Sequence, residues 1–187
     1  MPQTVFFLLL LAFSSCSLKY DENPSEADSS PELEFKGADY KKYEGKKLST
    51  QIQAQTLEQY KDSSAYAKNA RFKTWNSDGD LLTEGYCALL GINSDTKIYT
   101  LFNEIFIDNI EQNFKINAES LKWNSETKQM VSTKDGNVKL TRSDIEIQGS
   151  GFSASGASKS FEFTNPVTGT ITTDDNEETG GDDFSEE

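Results

Sequence analysis

At 187 residues the chain has room for one domain with a real core. Its formal charge of −13 sits at the two ends: residues 172–187 hold eight carboxylates and no base, residues 17–32 hold five carboxylates and one lysine, and Leu33 to Ile171 holds 18 acids against 17 bases. A near-neutral body has no basic stripe to neutralise phosphates, which excludes nucleic acid as a partner, and the absence of any histidine removes the commonest general base and zinc ligand.

The chain opens on an apolar run, Val5 to Phe13, followed by Ser14, Ser15 and Cys16. Such a run rises only about 14 Å as a helix, against a hydrocarbon slab of roughly 30 Å, so it reads as a signal peptide over residues 1–15 rather than a permanent span. Two small residues before a cysteine resemble a bacterial lipobox, in which Cys16 receives lipid (palmitate among its acyl chains) and becomes the mature N-terminus. Phe13 departs from the usual leucine, and no Lys or Arg precedes the run. Residues 16–32, rich in Ser, Asp, Glu and Pro, bury too little to offset their ordering entropy and are expected to be a flexible tether.

From residue 33 to residue 171 period-two alternation dominates. It is visible in QIQAQ (51–55), KIYTLF (97–102), EIFIDNI (104–110), Phe114 and Ile116 with Ala118 following, Val138 and Leu140, Ile145 and Ile147, and Phe161 and Phe163. Turn signals separate these runs at Ser77-Asp78-Gly79, Asn93-Ser94-Asp95, Asn124-Ser125-Glu126, Asp135-Gly136-Asn137 and Asn165-Pro166. A turn or two of helix is expected only within Leu57 to Ala70. The pattern predicts an all-β domain, a sandwich or open barrel of consecutive antiparallel strands. Residues 172–187 are expected to be a disordered acidic tail.

Two segments look like copies, RFKTWNSDGDL (71–81) and SLKWNSETKQM (120–130), with QIQAQTLEQY (51–60) as an eroded third. The repeat predicts that Trp75 and Trp123 sit at comparable places on successive layers. Cys87, lacking a base beside it, reads as a small apolar strand residue. GSGFSASG (149–156) has neither the lysine nor the following helix of a phosphate loop and reads as a turn or bulge. NSDGD (76–80) lacks the further oxygens that a calcium site needs and reads as a hairpin turn. No catalytic residue, metal or cofactor is expected.

The order of features in the second half resembles the periplasmic lipopolysaccharide-transport bridge family, the LptC and LptA/OstA-type proteins. Ala118-Glu119 precedes Leu121-x-Trp123, then Val138-x-Leu140, then Ile147-x-Gly149-x-Gly151-Phe152, and FEFTNPVTGTI (161–171) is similar to the family's last strand. The resemblance covers roughly Gln51 to Ile171. It implies an elongated, open, twisted antiparallel β-jelly roll whose apolar slot shields the acyl chains of lipopolysaccharide or a related glycolipid. It also implies edge-to-edge docking with other jelly-roll proteins beside the membrane subunits of an ABC transporter. The inward candidates for such a slot are Phe72, Trp75, Phe114, Ile116, Trp123, Val138, Leu140, Ile145, Ile147, Phe161 and Phe163, and the expected edges are Gln51 to Gln55 and Phe161 to Ile171. Pro166 suits either an edge strand or the start of a turn. The expected location is the periplasm, with the inner membrane favoured over the outer for the Cys16 anchor. A surface-exposed β-sandwich lipoprotein, an adhesin or ligand-binding module, is the alternative.

Overall fold

The computed structural model describes residues 30–173. The expected signal peptide, Cys16, most of the tether and nearly all of the acidic tail lie outside the described residues. Twelve strands follow one another: β1 (Leu33–Glu44), β2 (Lys47–Gln59), β3 (Ser64–Trp75), β4 (Leu81–Asn93), β5 (Ile98–Asn109), β6 (Phe114–Asn124), β7 (Gln129–Ser132), β8 (Asn137–Arg142), β9 (Ile145–Ser150), β10 (Phe152–Ser155), β11 (Ser160–Phe163) and β12 (Thr168–Ile171). Every pairing is antiparallel, as the alternation predicts.

β1 to β6 form a meander in chain order. At β6 the sheet divides. Residues 121–124 of β6 pair with β7, which leads on to β10 and β11, while residues 115–118 pair with β8, which leads on to β9 and β12. The chain crosses between these branches at Gly151, whose φ of +67° is open to glycine and costly for other residues. Just beyond it the Phe152 amide donates to Ser132 Oγ at 2.9 Å. The glycine-rich stretch is therefore a crossing point between strands.

Each long strand also turns a corner midway. Inward residues recur every second position on either side, but the step across the corner is three: Ala54 to Leu57, Ala67 to Ala70, Cys87 to Leu90 and Ala118 to Leu121. On β5 the step is four, Leu101 to Ile105, with Asn103 and Glu104 both left-handed, at φ 56° and 51°. Gly37 and Asn69 are left-handed at the corners of β1 and β3. The register slips here between β4 and β5 and between β5 and β6, as bulges do where a strand bends. Without this odd step the second half of each strand would turn its apolar set to solvent. The same step explains why no helix is found within Leu57 to Ala70: a spacing of three between Ala67 and Ala70 imitates a helical face, yet β2 runs to Gln59 and β3 begins at Ser64.

The Trp-Asn-Ser similarity has a local cause. Asn76, Asn93, Asn109 and Asn124 each end or follow a strand, and each side-chain Oδ1 accepts backbone N–H bonds from the turn that follows, at 2.8 to 3.1 Å. These are Asx turns. Because β3 and β6 run in opposite directions, the tryptophans end up at opposite ends of the sheet, contrary to the repeat expectation. The turn after Trp75 lies beside Lys47, whose ammonium donates to the Ser77 carbonyl. The turn after Trp123 bonds to the β4–β5 turn, Ser125 N to Lys97 O at 3.0 Å. Replacing Asn76 or Asn124 by Ala is expected to lower unfolding free energy by about 1 kcal/mol, the net worth of such bonds, whereas Asn117→Ala, which breaks no internal bond, should leave it unchanged in urea denaturation.

Candidate functional site

The inward rows can be read straight across the sheet. One runs Ile52, Phe72, Gly85, Ile107, Ile116, Leu140, Ile147 from β2 to β9. A second, beyond the corner, runs Leu57, Ala67, Leu90, Leu101, Leu121, Ser132. The outermost runs Ala65, Ile92, Tyr99, Trp123, Met130, Ala154, Phe161. These rows are the apolar interior, and each fully buried Leu or Ile in them is worth about 1.5–3 kcal/mol.

The eleven sequence candidates divide by depth. Ile116, Val138 and Leu140 are 1%, 0% and 2% exposed and belong to the closed core. Phe72, Phe114 and Phe163 are half-buried and pack against that core. Trp75, Trp123 and Ile147 are also half-buried, while Ile145 and Phe161 are exposed at 38% and 44%. Phe72, Ile116, Leu140 and Ile147 share one row, Val138 lies on the next, and Trp123 and Phe161 share the outermost. Trp75, Phe114 and Ile145 lie toward the other end, beside Leu81, Asn109 and Arg142 respectively.

The apolar interior is open at its margins. On β1, Leu33, Phe35, Tyr40 and Tyr43 are all about half exposed, and at the branch tips Phe161 and Ile171 are uncovered. Nearer the branch point the interior is sealed: Phe163 lies beside Gly149, and Asn165 Nδ2 donates to Ser150 Oγ at 2.9 Å and to the Lys134 carbonyl at 3.2 Å. Phe161 and Phe163 flank the buried Phe152 at 6.5 and 5.3 Å between ring centres. Phe152 closes the Ile147-x-Gly149-x-Gly151-Phe152 motif but is not among the slot candidates, since its neighbours are Gly and Ser; alternation with Ala154 is the further signal of its inward position.

The free edges are β1, β11 and β12, each paired on one side only. The first edge is therefore Leu33–Glu44 and not Gln51 to Gln55, which lies in β2 between two partners. β1 hides its alternation behind the left-handed Gly37 and alternating charges, two of whose pairs, Lys41 with Asp39 and Lys42 with Glu44, close at 2.9 and 3.1 Å. The expected single last strand is two, β11 and β12, one on each branch, with Pro166 in the connection between them.

Cys87 is 2% exposed, and burial pushes its thiol up to about 12. It is a core residue, as its sequence setting predicts, and should resist alkylation at neutral pH until the protein unfolds. A folded-state value above the 9.0 of a free thiol favours the folded protein below pH 9, and that contribution is lost as pH rises from 9 toward 12. Urea midpoints of the wild type should therefore fall across this window more than those of Cys87→Ala. Gly85 is the other sensitive position: a side chain there would collide with the Phe106 carbonyl and the Phe72 ring. Gly85→Ala is expected to cost about 1–3 kcal/mol by overpacking, read by thermal denaturation.

The family model described as "Lipopolysaccharide-assembly, LptC-related" matches residues 4–172. The chain belongs to the LptC-related family. That membership implies a periplasmic component of a lipopolysaccharide-transport bridge. An uncharacterized protein of Treponema pallidum (strain Nichols) is 22% identical over 162 residues, 86% of this chain and 81% of that one. The crystal structure of LptH, the LptA-homologous periplasmic component of the lipopolysaccharide transport device of Pseudomonas aeruginosa, superposes with a TM-score of 0.52 at 12% identity. It covers 66% of this chain and 95% of LptH. LptC-related membership and this likeness agree on the fold, an open antiparallel β-jelly roll.

Proposed function

We propose that the protein is a lipid-anchored link in a glycolipid export bridge, held to the inner membrane through Cys16, shielding acyl chains within the roll and docking edge to edge with partner rolls beside an ABC transporter. The observation that carries this reading is the uncovered apolar interior at β1 and at the branch tips, in a chain of the LptC-related family. Each methylene taken from water contributes about 0.8 kcal/mol, so a shallow contact with a few carbons holds a lipid and still releases it. Deep enclosure of several chains would hold it too tightly for transfer.

Depth ranks the candidates within this reading. Ile116, Val138 and Leu140 are the floor. Acyl contact falls to Phe72, Trp75, Phe114, Trp123, Ile147 and Phe163, and to Ile145 and Phe161 where the interior opens. The free edge of β1 offers its unpaired N–H and C=O groups to one partner, and β11 and β12 offer theirs to another.

Photo-crosslinking probes at Phe72, Ile147 and Phe161 should capture co-expressed glycolipid, while probes at the exposed turn residues Lys128 and Lys134 should not. Equal labelling at both sets, or labelling at neither, would point instead to an adhesin-like module. Protease added to intact cells should leave the protein uncut.

A further inference from the structure

The outer face of the sheet carries a feature that acyl shielding does not use. A cleft of about 580 Å³ lies across β4, β5, β6, β8 and β9, lined by Tyr86, Glu104, Asn117, Glu119, Asn137 and Gln148. Tyr86, Asn117 and Gln148 share one outer row with Phe106 and Lys139. The Tyr86 ring is 44% exposed and stacks on Phe106 with centres 5.6 Å apart, which fixes its orientation. The left-handed bulge residue Glu104 brings a carboxylate to the rim.

The polar groups here are free in a way their counterparts elsewhere are not. Of the ten asparagines among the described residues, seven make side-chain hydrogen bonds, at positions 69, 76, 93, 109, 113, 124 and 165. The three that do not are Asn103, Asn117 and Asn137; two line the cleft, and the third precedes Glu104. Gln148, Glu104 and Glu119 likewise have no internal partner. Planar amides offer a donor and an acceptor side by side, and carboxylates accept two bonds, the pattern that adjacent hydroxyls of a pyranose ring complement. An anchored aromatic face beside them suits the apolar C–H face of the same ring. Charge narrows the class. Lys139 is held by Glu146 at 2.8 Å, leaving Glu104 and Glu119 uncompensated, which disfavours acidic sugars.

We propose that this outer cleft binds a neutral saccharide, with Tyr86 as the stacking platform and Asn117, Asn137 and Gln148 as the hydroxyl readers. The saccharide could belong to a glycolipid or to a free glycan, and the two sources separate by experiment. The ¹⁵N-labelled full chain is titrated with maltohexaose, with chitotetraose and with the core oligosaccharide released from lipopolysaccharide, dephosphorylated and carboxyl-reduced so that it is neutral. Shifts confined to the amides around Tyr86, Asn117, Asn137 and Gln148 are expected. Tyr86→Ala and, independently, Gln148→Ala should each weaken binding about tenfold or more, with resonances remote from the cleft unmoved. Response to the core oligosaccharide alone assigns the cleft to a glycolipid sugar, and response to the plain oligosaccharides as well assigns it to free glycans. No shift with any of the three at millimolar concentration, or shifts that both variants leave intact, overturns the proposal. Such a failure leaves the acyl-shielding reading standing, since that is read from inward positions by crosslinking.

Discussion

The odd step at the corner is the constraint on which the rest of this structure depends. A strand of eleven to thirteen residues that kept strict alternation through a bend would present its apolar set to opposite faces on either side of it. Advancing by three instead of two, or by four on β5, returns both halves to one interior. Left-handed backbone at Gly37, Asn69, Asn103 and Glu104 makes the turn possible on three of the strands. Neighbouring strands must make the step at matching positions, because the ladder bonds tie their registers together. The result is a corner that crosses the whole meander as a line.

This line also prepares the division of the sheet. β6 bends where its partner changes, so that one half of the strand feeds β7, β10 and β11 and the other feeds β8, β9 and β12. Two short branches that diverge from one strand can share an interior without zipping together along their length. Contacts among Phe163, Gly149, Asn165 and Ser150 hold them close near the crossing at Gly151, while Phe161 and Ile171 at their tips stay uncovered. The margins thus keep apolar residues uncovered on β1 and at the branch tips, and leave β1, β11 and β12 paired on one side only. Cys87, the one thiol among the described residues, is held neutral in the core.

The turns illustrate how one residue type can imitate a repeat. Asn at the end of a strand satisfies the N–H groups of the following turn, and the chain uses this at four successive reversals, at both ends of the sheet. Similar words in the sequence thus reflect similar local hydrogen bonding, and antiparallel order then separates Trp75 from Trp123. Asn117 and Asn137, which cap no turn and make no side-chain hydrogen bond, instead line the outer cleft.

The all-β class, the position of most strands and turns, the apolar strand character of Cys87 and the family were legible in the residues alone, because period-two alternation, turn chemistry and motif order are local properties of the chain. So was the inward placement of Ile116, Val138 and Leu140. That these three are sealed core while Phe161 and Ile145 are exposed follows from the packed fold, since depth depends on which rows another layer covers. The packed fold decided too that β1 is the first edge, that the last strand is two, and that Leu57 to Ala70 holds no helix. In each case the corner or the branch point breaks the alternation, and a broken period cannot be told from a different one until the neighbouring strand fixes the register.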